Sequence, residues 1–193
     1  MKLYIIRHAT TKANLTGSMV RNYKNTPIIP FDPKRWMDLI GKHIEKNPAT
    51  PYITSPALRC IQTERALFGQ NPDYVFSELS EFDCSALNGK KFWEISEKEF
   101  NDCVKLTSAD MKQQVEKLFD KLKYFNPDVP IVCITHGMVA RYLYHYLSGN
   151  PDITPYDVIN SVGFKFANLD MFEYDSTFGT IITYEFSRAI CHK

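Results

Sequence analysis

Arg7-His8, Thr54-Ser55 with Arg59 one helical turn on, and Thr135-His136-Gly137 are three places where an apolar, β-rich run ends abruptly in polar residues. Guanidinium groups offer paired N–H donors matched to the oxygens of an anion. Imidazole can act as nucleophile, acid or base near neutral pH. In open α/β sheets, ligands bind just beyond the carboxyl ends of the strands, so parallel runs would bring two arginines and two histidines to one crevice. Two of the runs lead into helices, whose N-terminal N–H groups and dipole favour an anion. The residues describe a site for a phosphate-sized dianion.

The elements that must hold these groups follow from local patterns. Lys2 to Ile6 is apolar from Leu3 onward and predicts a buried strand. Asp32-Pro33 predicts a helix start, with Asp32 as cap and Pro33 at the first helical position; Trp36, Leu39, Ile40 and Ile44 then recur at helical spacing. Pro51 to Thr54 predicts a short strand, followed by a helix through Leu67 with Ser55 as cap and Pro56 opening it. A brief strand is expected at Tyr74 to Phe76, and helices at Phe92 to Phe100 and Met111 to Tyr124, the latter with Val115, Leu118, Phe119 and Leu122 on one face. Pro130 to Thr135 reads as another buried strand, leading into a helix from Met138 to Leu147. Gly163 to Tyr174 and Gly179 to Phe186 are aromatic and β-branched and predict a hairpin. The expected fold is α/β: a three-layer α/β/α sandwich with a mostly parallel mixed sheet and a C-terminal β-hairpin, residues 1–193 forming one domain. Strand order does not follow from the sequence.

Composition bounds the partners. In 193 residues, 23 Lys and Arg oppose 22 Asp and Glu, a balance that argues against nucleic acid or a membrane surface as partner. The five cysteines show no CxxC or metal-like spacing, which reads as free thiols in a reducing compartment, with Cys60 and Cys133 as small apolar core residues. No apolar run approaches membrane-spanning length, and MKLYIIRHAT is too short for a signal peptide, so a cytoplasmic location is expected. No pair of histidines has the i, i+4 zinc spacing; His43, His145 and His192 read as structural, and no metal or cofactor is expected. No Walker loop, GxGxxG or GxSxG element occurs.

Four segments taken together resemble a known family. RHATTKAN (7–14) is similar to the RHGxT/SxxN signature of the histidine phosphatase superfamily, the phosphoglycerate mutase-like fold. TSPALRCIQTE (54–64) resembles its TSxxxRxxxTA block, ELSEFDCSALNG (78–89) its acid-bearing segment LxExxxGxxEG, and ITHGMVAR (134–141) its second histidine block. The blocks stand in family order over roughly residues 1 to 150.

The resemblance implies the following roles. His8 is the nucleophile that forms a phosphohistidine intermediate, and it must be neutral to attack. Arg7 and Arg59 clamp non-bridging oxygens, His136 adds a further positive donor when phosphate is bound, Asn14 orients a phosphate oxygen, and Gly137 lets backbone come close. Such a cradle can stand in for a metal ion. Glu81 aligns with the family's general acid/base, with Asp83, on the same side of an extended segment, as the alternative. Arg21, with Asn25-Thr26-Pro27-Ile28, resembles a family turn and is a candidate for substrate binding. Ala9 departs from the family's Gly, and Ser85 and Asn88 from its Gly and Glu.

The implied activity is phosphatase action on a phosphorylated small molecule or on protein phosphohistidine. Two alternatives stay open: a mutase-type phosphotransferase and a non-catalytic phosphate-binding module. The mutases usually carry an arginine-bearing insertion after the acid block, whereas Gly89 to Val115 holds lysines and no arginine. Arg59 could instead pair with Glu64 or Glu81 on a surface, and Glu78, Glu81 and Asp83 could form a solvated acidic turn. Arg21, Lys24, Lys90 and Lys91 could hold a second acidic group of the substrate or be surface charge. Oligomeric state is not legible.

Overall fold

The computed structural model describes residues 1–19, 25–160 and 166–186. Six strands form one mixed sheet: β1 (Lys2–Arg7), β2 (Tyr52–Thr54), β3 (Tyr74–Val75), β4 (Ile131–Thr135), β5 (Met171–Asp175) and β6 (Thr180–Tyr184). Their order is β3-β2-β4-β1-β5-β6. The first four run parallel, while β5 is antiparallel to β1 and to β6.

Side chains alternate across the sheet, as the pleat requires. Leu3 and Ile5, with Ile131 and Cys133, face one layer; Tyr4 and Ile6, with Val132 and Ile134, face the other. The first layer holds α4 (Glu97–Cys103), α5 (Ser108–Leu122), α6 (Gly137–Leu147) and α7 (Pro155–Asn160), through residues such as Phe100, Val115, Tyr142 and Val158. The second holds α2 (Pro33–Ile40) and α3 (Leu58–Phe68), through Ile40, Cys60 and Leu67. Strands β1, β2 and β4 are therefore covered on both faces, which is why they read as continuous apolar runs. Each fully buried aliphatic side chain contributes roughly 1.5–3 kcal/mol, so this double packing fixes the strand ends firmly. The expected three-layer α/β sandwich with a mostly parallel mixed sheet is observed. Among the described residues no helix is long and apolar enough to cross a membrane.

Several boundaries differ from the sequence reading. Asp32 caps α2 as expected, donating nothing and accepting from Lys34 and Arg35 N–H, but the helix ends at Ile40 with Gly41 as its cap. The expected helix at 92–100 is a 3-10 turn at Phe92–Glu94 followed by α4, because Ser96 caps a new start at Glu97. Helix α5 begins earlier than expected, at Ser108, where Thr107 and Asp110 form a capping box. A short helix α1 (Lys12–Thr16) was not foreseen; Thr11 and Asn14 close its capping box, and Gly17, at φ +63°, ends it. The C-terminal hairpin forms, but β5 begins only at Met171; residues 163–165 lie outside those described.

Candidate active site

Pairing register brings the polar strand ends together. In the β1–β4 ladder Arg7 stands opposite Thr135, so His8 and His136 leave the sheet side by side. The His8 N–H donates to the Thr135 carbonyl at 2.9 Å, and the two imidazole centroids are 5.3 Å apart. On the other side β2 pairs with β4 and the Ser55 N–H donates to the Ile134 carbonyl, carrying the start of α3 to the same spot.

The protons on both imidazoles follow from their partners. His8 Nδ1 lies 2.7 Å from the Ala9 carbonyl, which can only accept, so Nδ1 carries the hydrogen. Nε2 is then the lone-pair nitrogen, and Arg59 Nε–H donates to it at 3.1 Å. Arg59 Nη2 also donates to His136 Nδ1 at 2.9 Å, which leaves the His136 hydrogen on Nε2, donating to Ser55 Oγ at 2.8 Å. Both rings show the pattern of neutral imidazole. Burial, then Arg59, holds both well below the ordinary imidazole range, with Arg7 adding to the effect. Ser55 was expected only to cap α3; instead α3 starts at Leu58 with no side-chain cap, and Ser55 Oγ serves His136 and the Ala57 N–H. Arg59 is buried rather than paired at a surface with Glu64, whose carboxylate oxygens have no hydrogen-bond partner among the described residues.

A second ring of contacts fixes the backbone beneath these groups. Thr63 Oγ1 accepts from the Ala9 N–H and donates to the Arg59 carbonyl, tying the end of β1 to α3. Asn168 Nδ2 donates to the His8 carbonyl at 2.8 Å, and the Arg7 N–H to the Asp170 carbonyl at 3.1 Å. Arg7 Nη1 donates to the Phe166 carbonyl, while its Nε is enclosed without an acceptor among the described residues. Burial, then repulsion from Arg141, pulls the Arg7 pKa down to about 10, so it stays charged at neutral pH.

The remaining sequence candidates separate clearly. Glu81 reaches the start of α6, where its carboxylate accepts from the Met138 N–H at 3.4 Å and the Val139 N–H at 3.2 Å. Burial raises its pKa above the ordinary carboxylate value, outweighing the opposing pull of Arg59, those two N–H groups and Arg7. Asp83 is exposed, outside the cavity, and caps the Ser85 N–H at 2.9 Å. Asn14 lines the cavity, and its Oδ1 accepts from Thr11 and Asn168. A Cβ on Gly137 would stand 3.1 Å from Arg7 Cζ, so the glycine lets the Arg7 guanidinium lie against the first turn of α6. Arg21 and Lys24 lie outside the described residues.

Arg7, His8, Asn14, Arg59, Glu81 and Gly137 all line one cavity of about 630 Å³. Its outer wall is more apolar, with Met19, Phe82, Phe92, Trp93, Met138 and Ile159. Ser85 and Asn88, two of the departures from the family pattern, also line it. So does Arg141, to which sequence reasoning gave no role although it ends the fourth block; only its i+4 spacing from Gly137 hinted that it shares that face of α6. Asn168 carried no local signal, since its segment has no periodic pattern. Among the described residues, no group of three or more His, Cys, Asp or Glu side chains is placed to hold a metal ion.

A neutral imidazole bonded to a guanidinium stands at the carboxyl end of an α/β sheet, where ligands bind in open sheets of this kind. The model of the histidine phosphatase superfamily (branch 1) matches residues 3–175, and the chain belongs to that superfamily. Solved structures share the fold. A mutant phosphoserine phosphatase from Entamoeba histolytica in complex with phosphoserine superposes with a TM-score of 0.72 at 17% identity, covering 95% of each chain. The same organism's phosphoserine phosphatase in complex with 3-phosphoglyceric acid gives 0.72 at 19%, again covering 95% of each. A putative alpha-ribazole-5'-P phosphatase from Escherichia coli K-12 gives 0.69 at 18%, covering 95% of this chain and 94% of the other. No curated protein matches the chain by sequence.

Proposed function

We propose that the chain is a metal-independent phosphatase that hydrolyses a small phosphate monoester through a phosphohistidine on His8. The observation that carries this reading is the proton placement on His8: the Ala9 carbonyl holds Nδ1–H, which leaves the Nε2 lone pair facing the guanidinium-lined cavity. A lone pair on that nitrogen is what an in-line nucleophile needs.

The substrate phosphoryl group binds between Arg7, Arg59, the Asn14 amide and the start of α6. Binding draws the Arg59 donors from the imidazoles onto phosphate oxygens, which are the stronger acceptors. His136, no longer accepting from Arg59, becomes protonated and adds a third cationic donor. Nε2 attacks phosphorus, the P–O ester bond breaks, and Glu81 gives its proton to the departing oxygen. The ionised Glu81 then takes a proton from water, which attacks the phosphohistidine and releases inorganic phosphate with His8 restored. Phosphoryl transfer of this kind calls mainly for positioning and charge stabilisation, and fixed guanidinium charge supplies both without an ion. The raised pKa of Glu81 favours the protonated form the first step uses.

The family supports phosphatase activity, and the neighbouring complexes with phosphoserine and 3-phosphoglyceric acid support a phosphorylated small molecule as substrate. The test is hydrolysis of p-nitrophenyl phosphate by the wild-type chain and by His8→Ala, each with and without EDTA. Activity that needs His8 and survives chelation is expected. Equal activity of the two proteins overturns the nucleophile assignment, and loss on chelation overturns metal independence.

A further inference from the structure

Leu169 is the one non-glycine residue with a left-handed backbone among the described residues, at φ +65°. Leucine rarely adopts that conformation, because its Cβ crowds the following carbonyl oxygen. The residue is nevertheless buried, in the layer of Tyr4, Ile6 and Ala9. The chain around it is held by four hydrogen bonds. Asp170 N–H donates to the Ala167 carbonyl at 3.1 Å, and Ala167 N–H to the Asp170 carboxylate at 2.8 Å. Leu169 N–H donates to the Arg7 carbonyl at 3.0 Å, and Arg7 N–H to the Asp170 carbonyl at 3.1 Å. The turn of residues 167–170 is thus clamped to the end of β1 with a strained residue inside it. Strain of this kind persists where the surroundings over-determine it, and it clusters at functional sites.

What this turn delivers is Asn168. Asparagine tolerates the left-handed region better than leucine does, yet it stands one position earlier, where its side chain reaches the site. Its Nδ2 lies 2.8 Å from the His8 carbonyl and 3.3 Å from Asn14 Oδ1. A carbonyl oxygen can only accept, so the amide is held with its nitrogen toward His8. The Asn14 amide is oriented by the same logic. Thr11 N–H can only donate, so the atom facing it at 3.0 Å is Asn14 Oδ1, and Thr11 Oγ1 donates to that oxygen at 2.9 Å. Three donors therefore converge on Asn14 Oδ1. Its Nδ2 has no acceptor among the described residues and is not enclosed, in a side chain that lines the cavity.

Resting on the phosphatase reading, we propose that Asn168 is a positioning residue that ties the Asn14 amide to the main chain of His8, so that a phosphate donor and the nucleophile keep one spacing. Asn168 itself does not touch the substrate. Asn14 Nδ2–H meets a phosphate oxygen, and Asn168 sets where that donor stands. The strained turn at Leu169 is the device that brings in a side chain from 160 positions along the sequence.

The probe is inorganic phosphate, titrated calorimetrically into the wild-type chain, Asn14→Ala, Asn168→Ala and the double variant, with a melting curve for each. Asn14→Ala is expected to weaken phosphate binding at least about tenfold, through loss of a hydrogen bond to a charged group. Asn168→Ala is expected to weaken it by about three- to tenfold, and the double variant to match Asn14→Ala within about twofold. Residues that act through one another fail to add in this way, whereas a general loosening of the fold costs the same in either background. Should Asn168→Ala not fold, Asn168→Asp, which keeps the shape but when ionised has no donor, is expected to lose at least as much affinity. Unchanged phosphate affinity in either single variant, or in Asn168→Asp, overturns the proposal. So does a double variant that shows the product of the two single losses. Phosphate binding with this coupling but no His8-dependent hydrolysis would overturn the phosphatase reading alone, and a wild-type chain that binds no phosphate would overturn both.

Discussion

Arg59 Nε donates to His8 Nε2 at 3.1 Å, so the lone pair proposed to attack phosphorus already accepts a guanidinium N–H. The same guanidinium donates to His136 Nδ1 at 2.9 Å. One side chain thus bridges both imidazoles, keeps them neutral, and can hand its donors to phosphate oxygens. Arg59→Ala is expected to lower kcat/KM by about 10²–10³, the usual cost of an oxyanion donor. Arg59 is, after burial, the largest cause of the low His8 pKa. The acid limb of the kcat/KM–pH profile should therefore move up in pH, toward the ordinary imidazole value. A lower rate with an unmoved acid limb would show that Arg59 does not govern the His8 proton.

The proposed proton donor, Glu81, can be separated from its neighbour Asp83. Glu81 lines the cavity with a raised pKa, whereas Asp83 is exposed with its pKa lowered, chiefly by its hydrogen bonds to Ser85. Glu81→Gln is expected to cost about 10²–10⁴ in kcat/KM on alkyl phosphates, and much less on p-nitrophenyl phosphate, whose leaving group needs no proton. Asp83→Asn should leave both substrates within about twofold. The comparison is of kcat/KM on the two ester types, which reports the step up to the phosphohistidine; the reverse ranking would exchange the roles.

What could be read from the sequence was set by locality. Arg7, His8, Arg59 and His136 sit directly at or one turn past strand ends, and the parallel register of β1 with β4 turns that into contact. Glu81 was reached only through the family resemblance, because an irregular segment carries no period from which to infer direction. Ser55 followed the rule for a cap, yet its hydroxyl is drawn to His136, a contact 81 residues away in sequence. Arg141 looked like any charged residue on an amphipathic helix; its position in the cavity depends on α7 supplying the Ile159 carbonyl. Asn168, which holds the His8 carbonyl across 160 residues, is a tertiary fact with no local trace.

Gly137 is a matter of space rather than backbone freedom. A methyl group there would press on Arg7 Cζ at 3.1 Å and Nε at 3.2 Å, and the Phe166 carbonyl anchors that guanidinium through Nη1. Gly137→Ala is expected to displace Arg7 by a few tenths of an ångström and reduce kcat/KM by about tenfold. Steady-state kinetics with a melting curve checks this; full activity would mean that Arg7 shifts without consequence.

Glu64, in α3, is fully buried, and neither carboxylate oxygen has a hydrogen-bond partner among the described residues. Burial, and then Asp73, raises its pKa to about 8. The folded state therefore binds a proton that the unfolded chain releases near the ordinary carboxylate value. Stability should be full below about pH 4.5 as far as this group is concerned, and should fall toward pH 8 with a slope of at most about 1.4 kcal/mol per pH unit. Glu64→Ala, the residue type of the family pattern at this position, should flatten that slope. Denaturant midpoints at pH 6, 7 and 8 read it; parallel curves for the two proteins would contradict the assignment.

The most direct measurement is chemical. The wild-type chain is to be mixed with a ³²P-labelled phosphate ester under turnover, quenched in alkali, and the label mapped by peptide sequencing, with His8→Ala alongside. The expected result is phosphate bound to the His8 ring, stable to base and lost in acid, and absent from the variant. Turnover with no label at His8 would contradict a covalent route through that imidazole.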